Sequence, residues 1–565
     1  MINKRTAIYV LSINLFFLGL CLVFGNLRFG AIDDYFMSGI LSGIYGENNV
    51  HLTFVNALYG YCLLPFYHLF PKINWYYIGE MASIFISLTI AGYIIIRKTG
   101  ERWGLILATL LTALCASDYY LVTQFTQCAA MLSAVGMLCI IYGLDNWDSD
   151  EKKKAATIVA IGITLLCWGS WMRWQAFLMG MPFFAMALLI KSKEFWPKKI
   201  PIVATLFVLF VCITGGHLFD QYMYRAPEYK TYIDFQGPRA LLGDGQNYNQ
   251  QAVYEDLDEM GYSGKDFAML TDWTFYDNEA FAPESIQIIT DVIGKYTNRI
   301  DLRSLPITVL RTLPKSIQSP IFIAWLLFSL ALLVFCSKKG LWVWASLAIV
   351  LSLIGYLLNL QRLVYRVETG LWLYATILTI PLLKENHRFI SKKIAIAIVI
   401  LIALCNLCDY AITGSHVRSP NTGELVSVQN EMVDYADYKG LQAYMDSLPD
   451  STVFFMKMDS YMRRSRKKNP PYLAEPKGSW ERIYSFGFWT PYFPDVEKSF
   501  RKRGVTNPIK DVVKENVFVI DEPFLIDFLE EHYYEKVKSD TIRDFNGMVV
   551  YKYSVVKDSV KETEQ

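Results

Sequence analysis

Long apolar runs recur along this chain, separated by short clusters of lysine and arginine, and that alternation sets the fold class. Runs that can span a membrane, or nearly so, occupy residues 7–24, 75–96, 103–116, 125–144, 155–171, 176–190, 200–219, 321–335, 341–358, 370–383 and 394–408. One further run, residues 54–70, decides the parity of everything downstream. If it spans, the clusters Arg97/Lys98/Arg102, Lys152/Lys153/Lys154, Lys191/Lys193/Lys198/Lys199 and Lys338/Lys339 fall on alternating sides relative to Lys4/Arg5. If it lies in the interface, with Pro65 in its middle and Tyr, Phe and His around it, all of them share the cytoplasmic side with the N-terminus. The positive-inside rule selects the second arrangement. The pattern therefore predicts a polytopic α-helical membrane protein of about eleven spans.

Two hydrophilic regions then fall on the outer face. Residues 220–319 carry turn signals between helical patterns at 249–260 and 284–296. Residues 413–565 read as an extracytoplasmic α/β domain, with strand-like runs at 452–458, 517–520 and 548–553 and helical patterns at 438–448 and 522–532. The division is thus 1–412 for the membrane domain, including outer loops 27–74 and 220–319, and 413–565 for the outer domain.

Composition agrees: of 565 residues, 53% are hydrophobic and 19% charged, which excludes an ordinary soluble enzyme. The net charge of +1 gives no footing for nucleic acid. The first run lacks a small-residue cleavage pattern and reads as a retained helix. The ten cysteines all lie in apolar segments without metal-ligand spacing, so no disulfide, metal site or cofactor is predicted.

Against this apolar background the outer acids stand out. Asp33 and Asp34, in AIDDYF, follow the first span, where a carboxylate is costly to keep. Phe36, Ile40, Leu41 and Ile44 follow at helical spacing, so a short amphipathic interfacial helix is expected. Asp33 as a helix cap explains one acid and leaves the other unexplained. Asp118, with Tyr119, Gln124 and Gln127, forms a polar group at an outer turn, and a solvated turn residue is the plain alternative. Arg362, Arg366 and Glu368 stand at i, i+4 and i+6, and two guanidinium groups one turn apart suit a phosphate. The plain alternative is an Arg–Glu surface pair with interfacial snorkelling. Arg173, between Trp171 and Trp174, is a further outer cation that either joins them or stacks on the indoles. Glu80 lies one turn inside its span and faces the bundle. His51 and His68 read as interfacial, and the run Arg463–Lys468 as a solvated loop.

The acidic pair after span one, the aromatic stretch 51–70, the outer acid in ASDYY and the outer C-terminal domain together resemble the GT-C superfamily. These are polytopic glycosyltransferases such as protein O-mannosyltransferases and lipid A aminoarabinose transferases. The stretch lacks the PPLYYW-like sequence of the latter. The resemblance implies an inverting transferase of the bacterial cell membrane. It would move a hexosyl or pentosyl group from a polyprenyl-phosphate-linked sugar donor to a glycan, lipid or protein acceptor of the envelope. In that reading Asp33 is the base, Asp34 and Asp118 orient the acceptor, and Arg362, Arg366 and Arg173 hold the donor phosphate. Glu80, Gln124, Tyr119 and Glu368 would contact substrate. A polysaccharide polymerase or ligase, a lipid-linked glycan flippase or transporter, and a scaffold with an outer sensor domain are the competing readings.

Overall fold

The computed structural model describes residues 3–147, 152–243, 247–385, 390–413, 416–427, 437–457, 470–521 and 524–556. Each of the predicted spanning runs carries a helix. Among the described residues, eight helices are long and apolar enough to cross a membrane: Lys4–Phe24, Trp75–Thr99, Glu101–Leu121, Phe125–Asp145, Lys152–Met172, Ser192–Met223, Ser337–Asn359 and Lys392–Ile412. A ninth is counted if Leu305–Ile317 and Pro320–Phe335, which meet at 93°, make one broken span. Two predicted runs form shorter helices, Trp174–Ile190 and Tyr365–Ile377. The result is a multi-pass helical membrane protein carrying a C-terminal sheet domain.

The central helix, Phe125–Asp145, is buried along almost its whole length. Small residues let its neighbour Lys152–Met172 approach closely. A Cβ on Gly136 would meet the carbonyl oxygen of Gly162 at 2.8 Å, so any larger side chain would push the two helices apart. Side-chain caps set several helix starts: Asn74 accepts from the amide of Tyr77, and Gln124 from those of Thr126 and Gln127.

The charge pattern is realised as one basic end. Asp145 pairs with Lys98 at 3.1 Å and Lys191 at 2.7 Å. Lys191 and Lys339 both reach Glu194, at 2.9 and 2.7 Å, while Arg5 and Lys392 share Glu101 at 3.1 and 3.3 Å. The Arg5–Glu101 pair brings the chain start and the loop after Thr99 together, so residues 25–74 return to the end they left. The intervening helix Ala57–Leu69 has only 13 residues and contains Pro65. It does not span, as the parity argument requires.

At the opposite end lies the helix Ile32–Ser42, and here the expectation of an amphipathic interfacial helix fails. Asp34 to Ser42 are all buried, because the C-terminal domain covers this helix. Trp480 stacks on Tyr35 with ring centres 6.5 Å apart, and its backbone amide donates to the Ile44 carbonyl at 2.9 Å. Lower down, Asn74 and Ala474 donate to the carbonyls of Tyr472 and Lys72. The domain is therefore seated on the loops of the membrane domain.

Among the described residues, nine strands form three small sheets. β1 (Arg28–Phe29) pairs parallel with β2 (Val122–Thr123), and β3 (His416–Arg418) pairs antiparallel with β4 (Leu425–Ser427). The C-terminal domain, expected outside, has the strand order β6-β5-β7-β9-β8, with β5 Val453–Met456, β6 Ile483–Ser485, β7 Val517–Ile520, β8 Val537–Asp544 and β9 Val549–Val555. Three of these strands fall on the predicted runs. The short β6 and the polar β8 carried no alternating pattern. The expected helices at 249–260 and 284–296 appear as Gln250–Glu259 and Pro283–Lys295. The run 463–468 lies outside the described residues. Among the cysteines, Cys62, Cys212, Cys405 and Cys408 face outward from the bundle rather than into its core.

With the basic end inside, a reporter fused after Gln565 is exported and active outside, whereas one inserted at Lys339 remains cytoplasmic. Activity of both on the same side would contradict the helix parity.

Candidate functional site

The site is built where the acidic helix meets the outer domain. Its N-cap is Ala31, which makes no side-chain cap bond, so neither acid serves as the cap. Asp33 and Asp34 occupy the first turn, where the exposed amides of the helix favour negative charge. Adjacent positions on a helix point about 100° apart, and the two acids accordingly have different surroundings.

Asp34 is fully buried. One carboxylate oxygen accepts from the Tyr76 hydroxyl at 3.1 Å and from the Phe125 amide at 3.2 Å. Glu80, also fully buried, is its carboxyl neighbour from the adjacent span. Burial and the nearby Asp33 charge push the Asp34 carboxyl well above the ordinary carboxylate range. Asp34 thereby ties the acidic helix to two spans and favours its protonated form.

Asp33 is only half-buried. Burial raises its pKa too, but three guanidinium groups, those of Arg366, Arg173 and Arg239 in that order, oppose the rise. The Trp489 indole donates to one of its oxygens at 3.2 Å. Asp33 is thus the carboxylate of the pair that faces cations.

These cations come from three distant segments. Arg366 opens the helix Tyr365–Ile377 and donates to the Asn421 side chain. Arg173 stands at the break between Lys152–Met172 and Trp174–Ile190. It stacks not on its flanking indoles but between Phe54 and Phe125, at 5.5 and 5.3 Å from their ring centres. Arg239, absent from the sequence reading, is buried on the outer-loop helix Pro227–Gly243. It also lines a cavity of about 450 Å³ with Thr53, Phe54, Tyr224, Tyr232 and Gln236. Both Phe54 and Arg239 are therefore shared between the cavity wall and the cation cluster around Asp33.

Other expected residues sit elsewhere. Arg362 is exposed and donates to the Ala240 carbonyl at 3.4 Å. It precedes the helix that Arg366 begins, and Gln361 before it has φ of 56°, so the supposed one-turn pairing of the two arginines does not exist. Glu368 is buried against the Ser316 hydroxyl rather than paired with an arginine at the surface. Gln124 spends its side-chain oxygen on the cap of the central helix. Asp118 is buried in a π turn, Ser117–Leu121, not solvated. It accepts from the Tyr365 hydroxyl at 2.7 Å and pairs with Arg418 at 3.9 Å. Tyr119 lies buried beside it. Asp118 thus fastens β3 and the helix carrying Arg366 to the bundle. In the outer region, Asp266, Glu531 and His532 bring possible metal-ligand atoms within 4.8 Å, though Asp266 already serves a capping box with Ser263.

Removing the Tyr365 hydroxyl leaves a buried carboxylate short of a donor, so Tyr365→Phe is expected to destabilise the protein by about 1–3 kcal/mol. Thermal unfolding of the detergent-solubilised chain measures this, and an unchanged midpoint would contradict the anchoring role of Asp118.

No family model and no curated protein matches this chain. Among solved structures it is similar to the crystal structure of ArnT from Cupriavidus metallidurans in the apo state, with a TM-score of 0.41 and 11% sequence identity over 95% of this chain and 96% of that chain. A likeness at that score carries no argument about chemistry, which rests on the side chains described above.

Proposed function

We propose that this protein is an inverting glycosyltransferase of the GT-C type. It uses a polyprenyl-phosphate-linked sugar and works at the outer end of the bundle on an envelope glycan, lipid or protein. The observation that carries this reading is the half-buried Asp33 carboxylate facing Arg366, Arg173 and Arg239 beside a polar-aromatic cavity. A base next to a cluster of cations fits a reaction that deprotonates one oxygen while releasing a phosphate from another.

In the proposed step, Asp33 takes the proton of an acceptor hydroxyl as that oxygen bonds to the anomeric carbon. The carbon–oxygen bond to the phosphate breaks, and its electron pair leaves on the phosphate oxygen. One displacement inverts the anomeric centre. A positioned base contributes about 10²–10⁴-fold, and fixed charge on the leaving group adds to that. Asp33 suits the base role better than Asp34, which is sealed from solvent and bound by Tyr76 and Phe125. Of the cations assigned from the sequence, Arg366 and Arg173 keep the phosphate role. Arg239 replaces Arg362 in it.

Asp33→Asn is expected to lower transfer by about 10²–10⁴-fold with insertion and folding intact. Mass spectrometry of envelope glycolipids and wall polymers from cells carrying the parent, this variant or no protein reads the effect. A product level equal to the parent's would refute the assignment. Arg239→Ala is expected to reduce kcat/KM for the donor roughly 10–100-fold, as loss of a hydrogen bond to a charged group does. Because Asp33 must be ionised, and burial raises its pKa, activity should rise with pH through an acid limb above the usual carboxylate range.

A further inference from the structure

The outer domain reaches Asp33 itself through residues 486–492. Trp489 at its centre is fully buried. Besides donating to Asp33, its ring packs edge-on against Phe36 of the acidic helix at 5.4 Å and Phe54 of the cavity wall at 5.7 Å. Its carbonyl accepts from the Gln236 side chain of the outer-loop helix at 2.9 Å. One residue of the outer domain thus touches the acidic helix, the juxtamembrane stretch and the outer loop at once.

The backbone around it is held in an unusual shape. Phe488 and Tyr492 have φ of 68° and 61°, in the left-handed region that non-glycine residues seldom adopt. A Cβ on Gly487 would lie 1.9 Å from the Trp273 carbonyl oxygen, so only glycine fits there. Tyr276 donates its amide to the Phe486 carbonyl at 2.6 Å, and its hydroxyl accepts from the Tyr492 amide at 3.1 Å. Strained backbone of this kind persists only where its surroundings over-determine it. What it achieves here is the delivery of an indole N–H to Asp33.

On this basis we infer that Trp489 is a positioning residue for the transfer reaction, and that the outer domain is an integral part of the active site rather than an appended module. The inference rests on the reading of Asp33 as the base. An indole N–H donated to a carboxylate favours the ionised form and fixes which oxygen faces the acceptor. The other charged or titratable groups facing Asp33 are Arg366, Arg173, Arg239 and the adjacent Asp34. Behind Asp34 stand Glu80 and Tyr76. Trp489→Phe removes the indole N–H while leaving the three arginines in the sequence, so the variant tests that donor.

Two measurements on the full chain test this. In detergent-solubilised protein labelled with ¹⁵N at the tryptophan indoles, the signal that disappears in Trp489→Phe is expected to move with pH in the parent and to stay fixed in Asp33→Asn. A signal with no pH dependence in the parent, or with the same dependence in Asp33→Asn, overturns the inference without any reference to activity. In membranes from producing cells, transfer is followed as released polyprenyl phosphate across pH. There the acid limb of Trp489→Phe is expected to lie about one pH unit above the parent's, with the two profiles converging at high pH. An unshifted limb overturns the inference alone, provided Asp33→Asn is inactive. Transfer that survives in Asp33→Asn overturns the base assignment beneath it.

Discussion

Keeping a carboxylate ionisable at the end of a helical bundle is the constraint on which the site depends. Moving such a group out of water is expensive unless donors and cations replace the lost hydration. No single segment of this chain supplies them. Asp33 draws on a break between helices for Arg173, on an outer-loop helix for Arg239, on a late helix for Arg366 and on the outer domain for Trp489. The arrangement of the outer end follows from bringing four such groups to one carboxylate. Asp34 takes the opposite course: it is buried deeper, bonded to Tyr76 and Phe125, and its raised pKa favours neutrality.

The basic end complements this. The lysines and arginines gathered there do not simply float in solvent, because Asp145, Glu194 and Glu101 each pair with two of them. The two ends are therefore chemically distinct. One holds paired structural charges, and the other keeps a half-buried acid among cations beside a cavity.

The helices of the membrane domain and the α/β character of the tail are legible in the sequence, because apolar length is a local signal, but of about eleven expected spans eight, or nine with the bent pair, are long and apolar enough among the described residues. Asp33 was legible for the same reason, as an acid at the mouth of a span. Arg239 was not. It is a lone arginine in a polar loop, and its meaning comes from a tertiary approach that no spacing encodes. Trp489 left a faint trace in the aromatic run FGFWTPYF, but nothing local connects that run to residue 33. Helical spacing misplaces Arg362 because the chain turns before Tyr365, whereas Glu368 lies inside that helix and is drawn inward by the Ser316 hydroxyl. Asp118 and Gln124 are expected at the substrate, yet their side chains serve anchoring and capping.

The central question for the site is whether the arginines act through Asp33. The most direct measurement is the pH dependence of transfer in Arg366→Ala against the parent, since Arg366 is the strongest cationic influence on that carboxylate. Loss of a neighbouring positive charge makes ionisation harder, so the acid limb should move to higher pH. A limb that stays in place, or moves to lower pH, would contradict the account.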